Sequence, residues 1–73
     1  MPTADELRDR IEAAIPGAEV AVQSEDNVHF AAQVKAAAFA GKSRLEQHRM
    51  VMDIFGDQLG GEIHALSLKT ETP

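Results

Sequence analysis

Apolar residues recur every three or four positions from Leu7 to Ile15, alternate with polar ones from Ala18 to Ser24, and return to helical spacing between Leu45 and Leu59. These changes of period mark a helix, a strand and a second helix. The first helix opens at Thr3, because Thr3 and Glu6 have capping-box spacing, in which hydroxyl and carboxylate each answer a free backbone N–H. Leu7, Ile11, Ala14 and Ile15 line its inner face, and Pro16-Gly17 stops it, since proline pushes the preceding residue out of helical geometry. Val20 and Val22 share one side of a strand over 18–24, with Glu19, Ala21 and Gln23 on the other. The acidic turn Glu25-Asp26-Asn27 leads into a second strand over 28–36, with Phe30, Ala32, Val34 and Ala36 on one face. An antiparallel hairpin with one buried side follows.

Residues 37–42 read as a connection broken at Gly41. Ser43 and Glu46 repeat the capping-box spacing and open a second helix, or two joined by a bend, running to Leu59. Its apolar stripe is Leu45, His48, Met52, Phe55 and Leu59, with Val51 adjacent, and Gly60-Gly61 closes it. A last strand runs from Glu62 to Thr70. A helix between the second and third strands is a crossover, which requires those strands to be parallel. The predicted fold is α+β: a single domain over residues 1–73, in the order α-β-β-α(α)-β, with a three-stranded mixed sheet covered by helices on one face. The other face needs polar residues or a covering partner, such as a second copy in a homodimer.

Composition narrows the function. At 73 residues the chain supports one modest core, and with 44% hydrophobic and 26% charged residues it has the make-up of a soluble globular protein. Its longest apolar runs fall short of a membrane span, and Met1 to Glu6 lack the basic start and apolar stretch of a secretory signal, so a cytoplasmic location is expected. Cysteine is absent, which removes disulfides and thiolate metal sites. A metal bound by this chain alone must use His, Asp, Glu or backbone oxygen. The net charge of -5 works against a phosphate backbone, although Lys42, Arg44 and Arg49 cluster in sequence as a candidate basic patch. A solvated helix face is the simpler reading of that cluster.

Catalytic machinery is sparse. Ser24, Ser43 and Ser67 lack a nucleophile-elbow context, Ser43 is accounted for as a cap, and Gly60-Gly61 lacks the lysine and hydroxyl of a phosphate loop. The chain is expected not to be an enzyme. No two of the three histidines have the close spacing of a helical metal site. His48 reads as a core-edge residue hydrogen-bonded to backbone. His29, beside the acidic turn, either pairs with Asp26 or coordinates a metal. His64, inside Ile63-His64-Ala65-Leu66-Ser67-Leu68, is either buried structure or a ligand. Parallel pairing brings the start of the third strand beside the start of the second, and so His64 toward His29.

Several segments resemble the BolA family in order and spacing: His29-Phe30, Phe39-Ala40-Gly41, Gln47-His48-Arg49-Met50-Val51, Ile63 to Thr70, and Thr72-Pro73. The resemblance covers nearly the whole chain and implies a fold similar to class II K-homology (KH-like) domains. It also implies a partnership with monothiol glutaredoxins carrying Cys-Gly-Phe-Ser, with a 2Fe-2S cluster shared between the two proteins and no cofactor in the isolated chain. In such a complex the glutaredoxin cysteine and glutathione supply sulfur. The BolA-like chain supplies a histidine from its final strand, which His64 matches, and a second ligand from the loop between the first two strands. Here that loop is short and lacks the extra Cys or His of longer-looped relatives, leaving His29 or Asp26 as candidates. Mixed nitrogen and sulfur ligation has precedent in Rieske centres. The implied role is iron-sulfur cluster trafficking or iron homeostasis. The alternative is a DNA-binding transcriptional regulator, with Lys42, Arg44 and Arg49 as its contacts.

Overall fold

A computed structural model describes residues 2–61, 63 and 65–73. Helix α1 spans Ala4–Ala14 and starts where the sequence places it, with Thr3 Oγ1 accepting the Glu6 N–H at 3.2 Å. The hydroxyl half of the expected capping box is present; a return bond from the Thr3 N–H to the Glu6 carboxylate is not among the described hydrogen bonds. Leu7, Ile11 and Ile15 are buried, and Gly17, at φ +83°, takes the left-handed turn that sends the chain into the sheet.

The described strands form the mixed sheet expected. β1 (Glu19–Gln23) pairs antiparallel with β2 (His29–Lys35), and β3 (Ala65–Glu71) pairs parallel with the other side of β2. Val20 faces Val34, Val22 faces Ala32, and Phe30 stands beside Leu66, so alternation delivers one apolar face. Phe30, Ala32 and Val34 on the central strand are buried beneath the helical layer, while Val20, Val22, Leu66 and Leu68 pack against the core. The outer face carries Glu19, Ala21, Gln23, His29, Ala65, Ser67, Lys69 and Glu71, all exposed. Most of these residues are polar or charged, as on a sheet face open to solvent.

Between β2 and the second helix, a 3-10 turn at Ala37–Phe39 buries Phe39 completely. Helix α2 (Arg44–Phe55) has the full capping box: Ser43 Oγ accepts the Glu46 N–H at 3.1 Å, and Glu46 Oε1 accepts the Ser43 N–H at 2.9 Å. The bond from the Ser43 backbone is the main reason the Glu46 carboxyl titrates below its ordinary value.

Two expectations for this helix need correcting. Its apolar stripe is turned: Leu45 is 59% exposed and His48 and Met52 are half-buried, whereas Val51 and Phe55 are buried and Met50 and Ile54 pack against the core. The inner face includes polar Gln47, whose Nε2 donates to the carbonyls of Phe39 (3.2 Å) and Lys42 (3.0 Å) and whose Oε1 accepts the Thr70 hydroxyl at 2.7 Å. One amide thus ties the loop, the helix and β3 together. The helix also stops at Phe55 rather than Leu59. Gly56, at φ +49°, breaks it into a 3-10 turn over Gly56–Gln58. Arg10 secures that end: its guanidinium lies 4.9 Å from the Phe55 ring centroid, donates to the Ile54 carbonyl at 2.8 Å and bonds the Gln58 side chain.

Ile63 is buried and bridges Leu59 just ahead of β3, which begins at Ala65. Glu62, the expected first residue of that strand, and His64 lie outside the described residues.

Candidate metal-ligand site

The β1–β2 turn is built around one carboxylate. Asp26 Oδ1 accepts the backbone N–H groups of Val28 (3.0 Å) and His29 (2.9 Å), closing the turn as aspartate side chains commonly do. Asn27 takes the left-handed conformation at φ +59°, which a short polar side chain tolerates. Ser24 completes the loop from the other side: its Oγ accepts the Asn27 N–H at 2.9 Å and donates to the His29 carbonyl at 2.7 Å. The hydroxyl has one proton, so its 3.4 Å approach to Asp26 Oδ1 is the weaker contact. The second Asp26 oxygen, Oδ2, lies 2.8 Å from His29 Nδ1. These bonds hold the Asp26 carboxyl far below the usual carboxylate range; the His29 backbone N–H contributes most, then the His29 ring, then the Val28 N–H.

His29 begins β2 on the outer face of the sheet, with its side chain 61% exposed. Across the parallel pair it stands opposite Ala65, whose N–H bonds the Val28 carbonyl at 3.1 Å. Ala65 is the residue that follows His64 in the chain. Gln23, Ser24, Glu25, Asp26, His29 and Ser67 border an open hollow at this end of the sheet. The sequence pointed to the His29–Asp26 pair; it did not point to Ser24, whose part depends on a bond to backbone. A serine two residues before an aspartate in a tight turn was the available signal.

The other candidates lie apart from this corner. His48 is on α2, half-buried, and no bond to its ring is among the described hydrogen bonds. Lys42, Arg44 and Arg49 are all exposed around the start of α2. Arg44 and Arg49 are five positions apart, which turns them about 140° from one another on a helix, so they do not share one face. Among the described residues, no three His, Cys, Asp or Glu side chains gather as a metal cage, and no helix is long and apolar enough to cross a membrane.

Residues 8–73 match the family model of the BolA-like proteins, and the chain belongs to that family. Human BolA-like protein 1 is 38% identical over 53 residues, covering 73% of this chain and 39% of that protein. The chain therefore spans about two fifths of the length of the curated BolA-like protein 1 relatives it matches. The structure of a bolA protein homologue from Coxiella burnetii superposes with a TM-score of 0.84 at 36% identity, covering 100% of this chain and 94% of that one. The BolA domain of SufE1 from Arabidopsis thaliana gives a TM-score of 0.84 at 28% identity, over 96% of this chain and 91% of that one.

Proposed function

We propose that this chain is a non-enzymatic adaptor that partners a monothiol glutaredoxin and shares a 2Fe-2S cluster with it, in cluster trafficking or iron homeostasis. Membership of the BolA-like family, and the occurrence of a BolA domain within SufE1, support a role related to iron-sulfur chemistry. The observation that carries the reading is the register of β2 and β3, which sets His29 opposite Ala65, the neighbour in sequence of His64.

The donors suit half of a cluster. The chain has imidazoles and carboxylates but no thiolate, so it can take one side of an iron-sulfur centre while the partner's cysteine and glutathione take the other. His64 and His29 are the proposed ligands. Bound there, the cluster would supply iron and sulfide for transfer or a signal of iron status. The protein's part is to present the His29 imidazole on an exposed sheet corner that a second protein can reach.

The test is to mix the purified chain anaerobically with a monothiol glutaredoxin, glutathione, iron and sulfide, and to separate the products by size. The proposal expects both chains to elute together with iron and sulfide. Elution of the cluster with glutaredoxin alone would rule it out.

A further inference from the structure

We infer that Asp26 is a positioning residue, which fixes the His29 ring so that Nε2 is the nitrogen presented to the metal. The inference rests on the cluster reading above and assigns Asp26 a place behind the ligand instead of at the iron. Its carboxylate is already engaged: Oδ1 accepts two backbone N–H groups, and Oδ2 faces His29 Nδ1 at 2.8 Å. An ionised carboxylate can only accept, so the proton of the neutral ring sits on Nδ1 and the lone pair on Nε2. Histidines that ligate metals are commonly oriented in this way by a carboxylate on the other ring nitrogen, which also raises their basicity. The turn that carries Asp26 is locked to the same strand start by Ser24, whose hydroxyl holds the His29 carbonyl. Ring and backbone of His29 are therefore gripped from two sides, with Asp26 Oδ1 closing the turn and Oδ2 facing the ring.

Asp26→Asn separates orientation from loop structure. The amide oxygen of asparagine can still accept the Val28 and His29 N–H groups, while its NH2 would face Nδ1 and force the ring proton onto Nε2. An analogous Asp-to-Asn change in serine proteases leaves the geometry intact and sets the wrong tautomer. The experiment is nitrogen-15 NMR of the imidazole in the metal-free chain, with amide exchange at Val28 and His29 as the control for the loop. Wild type should show the proton on Nδ1; Asp26→Asn should move it to Nε2 with the two amides still protected. A wild-type ring protonated on Nε2 overturns the inference without any variant, and so does a tautomer unchanged in Asp26→Asn. In the glutaredoxin mixture, Asp26→Asn should alter the cluster's visible circular dichroism in the same direction as His29→Ala. A tautomer switch combined with no cluster effect of His29→Ala means that His29 is not a ligand and overturns the inference, whereas a cluster that elutes with glutaredoxin alone means that the cluster reading itself has failed. An unchanged tautomer with a cluster sensitive to His29→Ala removes the positioning role alone.

Discussion

His29 stands opposite Ala65 across the parallel β2–β3 pair, with the Ala65 N–H closed on the Val28 carbonyl at 3.1 Å. Backbone register, not packing of the ring, sets where His29 lies, because the next residue, Phe30, is the one that enters the core. Removing the imidazole should therefore spare the fold and strike the proposed site. His29→Ala is expected to keep the far-ultraviolet spectrum and amide dispersion of the parent. In the glutaredoxin mixture its cluster should lose the wild-type visible spectrum, and a spectrum identical to the parent would count against His29 as a ligand.

Asp26 gives the turn a signed pH dependence. Its folded carboxyl titrates below the ordinary value of 3.8, so in the acid range the unfolded chain binds the proton more readily than the folded one. Its stabilising contribution is complete above the ordinary value and is lost as the pH falls through the depressed folded one. A carbon-13 NMR titration of Asp26 should therefore show its inflection below 3.8. Acid unfolding of Asp26→Ala should be less steep through this window than that of wild type, and equal slopes would refute the assignment.

Gln47 answers two carbonyls and one hydroxyl from a half-buried position. Gln47→Ala removes this partner from the Lys42 carbonyl and the Thr70 hydroxyl, while the Phe39 carbonyl keeps the Lys42 N–H at 3.1 Å, and should cost about 1–2 kcal/mol. Urea unfolding with an unchanged slope and a lowered midpoint is the expected signature. No change in midpoint would mean that water replaces the amide at no cost.

Two apolar positions on either side of the start of α2 should respond oppositely to truncation. Phe39, in the 3-10 turn before the helix, is fully buried in the core, so Phe39→Ala should cost about 3–5 kcal/mol. A chain of this length is expected to be stable by roughly 4–11 kcal/mol, which leaves that variant near the edge of folding. Leu45, at 59% exposure, should tolerate alanine within about 0.5 kcal/mol. Thermal melts of both variants check the pair, and a large loss at Leu45 would restore the stripe that periodicity suggested.

The element order was legible because each boundary carries local chemistry: Thr3 and Ser43 cap, Pro16-Gly17 stops, and alternation marks the hairpin. Helix α2 misled because counting apolar residues favours Leu45, His48 and Met52, while the face that packs inward contains Gln47. A glutamine is drawn inside by the Lys42 carbonyl and the Thr70 hydroxyl, which come together only once the loop and β3 are folded. The end of α2 was hidden for a similar reason, since Gly56 and the distant Arg10 define it and neither resembles the Gly60-Gly61 signal. At the site, the proximity of His29 and Asp26 could be read from three residues of sequence. The division of labour between the two Asp26 oxygens could not, because it depends on which backbone N–H groups the turn aims inward.

The measurement that bears most directly on the shared cluster is visible circular dichroism of the reconstituted mixture, comparing wild type with His64→Ala. Wild type should give a spectrum distinct from that of glutaredoxin alone, and His64→Ala should lose it. The same spectrum from both chains, or no departure from glutaredoxin alone with wild type, would contradict the shared cluster.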